Sequence, residues 1–413
     1  MPVRRIVHGN YAHAKVYTAD IDVKTYQQIL NVASLPFIHK HIAVMPDTHA
    51  GYGVPIGAVV PTVNAVIPGA VGFDIGCGMT AARLSAKAGV IHDSLDEIFN
   101  QIEKAVPRGT ESYRYNKKSG CISHTKGCWD TVSYIHRKTW YDTLATDFKN
   151  IIFKYPNIES TNVVKQLGTL GGGNHFIELC SDEQGDVWIV LHSGSRNQGK
   201  VIGEFFMRRA QEECEKWFIE LPDKQLAFFP KDTEFYNDYL IAMFWAQRYA
   251  ATNRKLMLSN IKDRLCAVLE PKHVLFTDMI DCHHNYAEME NHFDTNVLVT
   301  RKGAVRAREG DRAIIPGAMG RQTYIVKGKG DLASFCSCSH GAGRVLSRKK
   351  AKEQFSVEQV TEQMGSVKCR IDNGVLDEAP GAYKDLDEVM DNQSDLVDIE
   401  HILTPMLNIK GRG

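Results

Sequence analysis

Polar and apolar positions change period several times along the chain, and each change predicts an element. TYQQILNVASL, residues 25–35, has apolar positions at helical spacing and predicts a short amphipathic helix. From His41 to Arg83 the period shortens. HIAVMPDTHAGYGVPIGAVVPTVNAVIPGAVGFDIGCGMTAAR breaks β-branched runs with Gly and Pro, the pattern of strands joined by tight loops. Helical periodicity returns in SLDEIFNQIEKAV, residues 94–106, with Ser94 placed as the N-cap and Glu97 three residues on. HFIELC (175–180) and VWIVLH (187–192) read as two strands joined by the turn-rich SDEQGD. Helices follow over about 202–218 and 237–261, and a second Gly-rich strand region spans 296–330. FCSCSHGAGRVLSRKKAKEQF then runs from a loop of small residues into a basic helix holding Arg344, Arg348, Lys349, Lys350 and Lys352. The Gly-rich segments are spread over the chain without a repeat. They predict one large compact α+β domain over residues 1–413, with mixed β-sheets flanked by helices and one site assembled from distant loops.

Composition narrows the class. The 413 residues are 43% hydrophobic and 24% charged, in the globular range, which excludes a disordered chain. With 49 basic and 49 acidic side chains the net charge is zero, so local patches decide any nucleic-acid partner. No apolar run reaches the roughly 18 residues that span a bilayer, so no membrane partner is expected. The start, MPVRRIVHGNYAHAKVY, has no apolar segment, and no signal peptide is expected. Ten cysteines are too few for a disulfide scaffold and read as thiols in a reducing compartment, the cytoplasm. The stretch 107–127 carries Arg108, Arg114, Lys117, Lys118 and Lys126 against Glu111 and reads as a basic surface loop, with a solvated loop that has no partner as the alternative.

Several of the sixteen histidines stand beside glycine, asparagine or cysteine, which raises metal chemistry. In Asp74-Ile-Gly-Cys77-Gly a carboxylate and a thiol can turn to one point, a hard and a soft ligand together, although a tight turn around a buried thiol fits as well. Gly171-Gly-Gly-Asn174-His175 and His192-Ser-Gly-Ser-Arg196 flank the two strands. A turn centred on Glu183 and Gln184 sets His175 directly opposite His192, close enough to share a metal. In Cys282-His283-His284-Asn285 only one histidine can face a given site if the segment is extended, and the pattern leaves open which. Cys336-Ser-Cys338-Ser-His340 fits either a zinc ligand set or a histidine nucleophile in a phosphate-binding loop with Arg344. Met45-Pro-Asp47-Thr-His49 and Arg301-Lys302-Gly add a carboxylate and cations that say little alone.

In this order, MPDTHAGYG, VGFDIGCGM, LGGGNHFIE, VWIVLHSGSR, CHHNY, RKGAV, IIPGAMG, FCSCSHGAGRVLSR, AYKDLD and IKG resemble the RtcB family of RNA-splicing ligases, in its bacterial branch. The resemblance runs from about residue 37 to Lys410. It implies an RtcB-like fold and a 3′-phosphate/5′-hydroxyl RNA ligase that uses GTP and two Mn²⁺ ions. The partners implied are GTP and RNA bearing 3′-phosphate or 2′,3′-cyclic phosphate and 5′-hydroxyl ends, in RNA repair or tRNA splicing. The resemblance also implies each role: His340 the guanylylated nucleophile oriented by Asp47, and Asp74, Cys77, His175, His192 and His284 the metal ligands, with Cys77 bridging. Asn174, Glu178, Arg196, Tyr383 and Lys410 match nucleotide-contacting positions. A monomer is expected. Asn197, Gln198 and Ala318 depart from the family pattern, and loss of a hydroxyl at 318 should cost nucleotide binding about 1 kcal/mol. Two other readings compete: a metal-dependent cyclic phosphodiesterase that needs no His340, and a non-enzymatic RNA-binding protein.

Overall fold

A computed structural model of the chain describes residues 3–108, 132–159 and 163–411. The basic stretch 107–127 therefore lies outside the described residues, apart from Pro107 and Arg108. Two large sheets carry the fold. The six-stranded sheet runs in the order Arg5–His8, His13–Val16, His41–His49, Ile56–Thr62, Thr295–Lys302, Asn285–His292. The eight-stranded sheet runs Phe276–His283, Gly78–Lys87, Asp186–Ser193, Phe176–Ser181, Val397–Lys410, Thr323–Gly328, Arg312–Pro316, with Lys368–Cys369 beside Val397–Lys410.

The central strands are apolar on both faces because both faces are covered. Ile189 and Leu191 pack with Ile98, Ile102, Met257 and Ile261 of the helices Leu95–Ala105 and Glu234–Leu265. Trp188 and Val190, alternating with them, point the other way into a cluster with Met79, Ile280, Ile314, Ile325 and Leu403. A third cluster, rich in aromatics, fills the space between helices with Trp140, Phe148, Phe206, Tyr239 and Trp245. The result is one compact mixed α/β domain with helices against the sheets.

Several expectations shift. The turn after Phe176–Ser181 is a three-residue loop, Glu183-Gln184-Gly185, with Gly185 at φ 75°. It moves the register by one, so His192 pairs with Phe176 and not with His175. Ser94 makes no side-chain cap, because a 3₁₀ turn over His92–Ser94 leads straight into the helix and leaves Ser94 outside the extended backbone that capping uses. The helix expected from 202 starts six residues earlier, spanning Arg196–Lys216. Gly199 and Gly203 hid its first turns, and Gly203 lies where a Cβ would sit 3.0 Å from Gly72 O. The next helix is Glu234–Leu265. Arg344 lies in the loop before the basic helix Arg348–Gln354, which Ser347 caps.

Candidate active site

Strand register gathers the chemistry at one end of the larger sheet. Met79, His192, Phe176 and Lys410 stand opposite one another across four strands, and Gly78 pairs with both His283 and Ser193. Cys77 and His175 each precede the first residue of a strand, and His284 is the one residue between Phe276–His283 of the larger sheet and Asn285–His292 of the smaller. The His284 N–H donates to Cys77 O at 2.8 Å, which locks that junction to the Asp74–Cys77 turn.

Around Cys77 the side chains form two triads, Asp74–Cys77–His175 and Cys77–His192–His284, sharing the sulfur. Cys77 Sγ lies 3.3 Å from His175 Nε2 and 3.2 Å from His192 Nε2. His175 Nε2 is 2.9 Å from Asp74 Oδ2, and the Nε2 atoms of His192 and His284 are 3.3 Å apart. His175 Nδ1 meets Leu170 O at 2.9 Å and His192 Nδ1 meets Asn174 O at 3.1 Å. Carbonyls only accept, so each ring carries a proton on Nδ1; this leaves His192 an Nε2 lone pair turned inward, the usual arrangement of a metal-binding histidine, while His175 Nε2 faces the Asp74 carboxylate.

Burial pushes His192 and His284 well below the usual imidazole range and the Cys77 thiol well above its own. For Asp74 burial acts upward, but the His175 hydrogen bond and charge outweigh it and hold the carboxyl at about 2. The buried Nδ1 of His284 has no partner. Convergent lone pairs, a carboxylate, a thiol and an orphaned nitrogen fit divalent transition-metal ions. His283 turns away, its Nδ1 2.9 Å from Gly76 O. Among the described residues neither Cys336 nor Cys338 belongs to such a group, and both are buried.

The His340 ring lies beside His284, centroids 4.9 Å apart. Its Nδ1 is 2.6 Å from Asp47 Oδ2, and its backbone N–H donates to the same oxygen at 3.0 Å. Asp47 is fully buried. Burial acts to raise its carboxyl, but the His340 charge and hydrogen bonds keep it below the usual range. A proton held on Nδ1 by Asp47 leaves the ring's lone pair on Nε2. The loop reaches Asp47 only because residue 343 is glycine: φ is 74° and a Cβ there would sit 2.1 Å from Asp47 O.

Beyond His340 opens a cleft of about 220 Å³ lined by Asn174, Phe176, Ala318, Arg348, Tyr383 and Lys410, among others. Lys410 Nζ donates to Asn174 O at 3.2 Å. Glu178, buried, pairs in register with Asn408, whose Nδ2 donates to Glu178 Oε1 at 2.8 Å. Burial pushes Glu178 up to about 7, against Asn408 and Lys410. Arg196, at φ 58°, donates from Nε to Thr169 Oγ1 at 3.1 Å on the Asp74 side of the site. The backbone N of Asn197 donates to Gln166 Oε1 at 3.2 Å, and the buried Gln198 side chain donates to Ile158 O at 2.6 Å.

Glu378 is the residue that sequence reasoning missed. It is 1% exposed and accepts from Arg344 at 3.1 Å, Arg348 at 2.8 Å, Lys410 at 3.2 Å and the Tyr383 hydroxyl. It thereby fixes the cationic wall of the cleft. Nothing in VLDEAPGAY sets its carboxylate apart from an ordinary surface acid.

Fold and site together define a protein with two Cys/His/carboxylate groups that could hold metal ions, beside a buried His–Asp pair at a cation-walled cleft. The family model for the tRNA-splicing ligase RtcB matches residues 28–411. The RNA-splicing ligase RtcB of Escherichia coli K12 is 46% identical over 406 residues, covering 97% of this chain and 98% of that protein. The tRNA-splicing ligase RtcB of Nanoarchaeum equitans is 32% identical, covering 92% of this chain and 90% of that protein. The RNA-splicing ligase RtcB of Mycobacterium tuberculosis is 30% identical, covering 93% and 100%. The chain belongs to the RtcB family of RNA ligases, with the bacterial branch that the Escherichia coli protein represents. Among the described residues no helix is long and apolar enough to cross a membrane.

Proposed function

We propose that this protein joins RNA 3′-phosphate or 2′,3′-cyclic phosphate ends to 5′-hydroxyl ends with GTP and Mn²⁺, in tRNA splicing or RNA repair. The reading places it in the cytoplasm as a monomer. The observation that carries it is the His340–Asp47 pair, 2.6 Å apart, standing beside the shared-cysteine triads. Asp74, Cys77, His175, His192 and His284 would hold two manganese ions. When bound these supply positive charge that neutralises phosphate oxygens and polarises phosphorus.

Asp47 keeps the proton on Nδ1, and His340 Nε2 attacks the α-phosphorus of GTP. A P–N bond forms, the bond to the β-phosphate oxygen breaks, and pyrophosphate leaves. An oxygen of the RNA 3′-phosphate then takes the guanylyl group from Nε2, regenerating the histidine and giving RNA–ppG. Finally the 5′-hydroxyl oxygen attacks the 3′-phosphorus, GMP departs, and a 3′,5′-phosphodiester forms. A cyclic phosphate is first opened by water at the same site. Asn174, Glu178, Arg196, Tyr383 and Lys410 bind the nucleotide: buried Glu178 suits the paired N–H donors of guanine, and Lys410 and Arg196 suit phosphate or carbonyl oxygens.

The reading is tested with two RNA strands, one ending in a 3′-phosphate and one starting with a 5′-hydroxyl. Ligation requiring both GTP and Mn²⁺ is expected. Opening of a cyclic phosphate without any joined product would favour the phosphodiesterase reading instead.

A further inference from the structure

The side chains read as metal ligands come from four separate pieces of backbone, and one buried arginine touches three of them, those carrying Cys77, His192 and His284. Arg254 lies mid-way along Glu234–Leu265 and is 0% exposed. Its Nη1 donates to Gly76 O at 3.1 Å, in the turn that carries Asp74 and Cys77. The same nitrogen donates to Ser193 O at 3.2 Å, next to His192. Nε and Nη2 grip Asp281 through both carboxylate oxygens, at 2.7 and 2.8 Å, three residues before His284. Thr80 Oγ1 accepts from Nε at 3.2 Å and itself donates to Asp281. Around it the helix packs closely: a Cβ on Gly76 would sit 2.8 Å from Gln247 Cα, and one on Gly78 would sit 3.1 Å from Arg254 Nη1.

A fully buried guanidinium is costly unless its donors are filled, and here its fork is filled by backbone that carries ligands. The sequence gives no hint of it, since QRYAATNRKLML reads as one face of an ordinary helix. We infer that Arg254, clamped by Asp281, is a positioning residue that sets the spacing of Cys77, His192 and His284 and hence the metal affinity of the site. This rests on the metal reading above. A lysine cannot do the same, because one ammonium cannot reach the Gly76 and Ser193 carbonyls while holding both oxygens of Asp281.

The test is a Co²⁺ titration of the full chain, read by the near-ultraviolet thiolate-to-cobalt absorption, for wild type, Arg254→Met, Arg254→Lys and Asp281→Asn. Thermal unfolding of each metal-free protein is followed alongside. We expect Co²⁺ to bind 10–100-fold more weakly in Arg254→Met, the usual scale for loss of an outer-shell partner, with a shifted or weakened band. Arg254→Lys should recover only part of the affinity. If Arg254→Met does not fold, Asp281→Asn carries the test and should lose about tenfold, because an amide keeps one accepting oxygen, loses the other and removes the charge. Variants that fold and bind Co²⁺ within twofold of wild type, with the same band, overturn the inference while leaving the metal reading intact. A wild type with no thiolate band overturns both.

Discussion

The Asp186–Ser193 strand has two ends, and they treat buried polar groups in opposite ways. At the loop end, Asp182 accepts from Gln184 N at 2.9 Å, Asp186 N at 2.8 Å and Trp188 Nε1 at 2.9 Å. Its polar demand is met within six residues. At the far end, nitrogen lone pairs converge on Cys77, and His284 Nδ1, Asp47 Oδ1 and Ser195 Oγ are buried without partners. One strand thus joins a polar cluster that completes itself to one that is complete only with a ligand. Buried polar groups are mostly paired, and the unpaired groups at this end coincide with the site to which the proposed function assigns the chemistry.

That contrast can be broken from either side. The largest effect is expected at His340: His340→Ala should abolish RNA joining while leaving Co²⁺ or Mn²⁺ affinity and the unfolding midpoint close to wild type. Activity retained by that variant would remove His340 as the nucleophile. Cys77→Ser comes next, with metal affinity down by a hundredfold or more by titration, since both triads share that sulfur. At the loop end the outcome inverts. Asp182→Ala should lose about 3 kcal/mol of stability by denaturant unfolding, because Trp188 Nε1 is left buried and unpaired, with metal affinity unchanged.

The smallest effect is a pH dependence. Glu178 rises from 4.5 to about 7 on folding because it is buried, so the folded state holds its proton more tightly than the unfolded chain. Its contribution to stability is fully present below pH 4.5 and is lost as pH rises through about 7. If Glu178 accepts guanine N–H donors as proposed, nucleotide binding should tighten over the same interval, and Glu178→Gln should flatten both profiles. Unchanged profiles in Glu178→Gln would assign the pH dependence elsewhere.

How much of this was legible depends on distance along the chain. The strands at 176–181 and 186–193 were visible from their apolar runs, but their register was not. One extra loop residue at Gly185 moved His192 opposite Phe176, and His175 reaches Cys77 from just outside the strand. The choice between His283 and His284 was open in the pattern and is made by backbone: His284 N reaches Cys77 O, and His283 turns to Gly76 O. Glu378 and Arg254 were invisible for a different reason. Each acts by gathering groups dozens to hundreds of residues away, and a lone acid or a helix arginine carries no local signature of that. Gly-rich runs announced where a site would form, and only folding showed which charged residues support it.

The most direct test follows the guanylyl group itself. The protein is incubated with α-labelled GTP and Mn²⁺ without RNA, denatured, and split between alkali and mild acid. Label that survives alkali, is released by mild acid and is absent from His340→Ala is the predicted result, the behaviour of a P–N bond to histidine. A wild-type protein that binds manganese yet carries no such label, or a His340→Ala protein that carries it equally, would contradict the account.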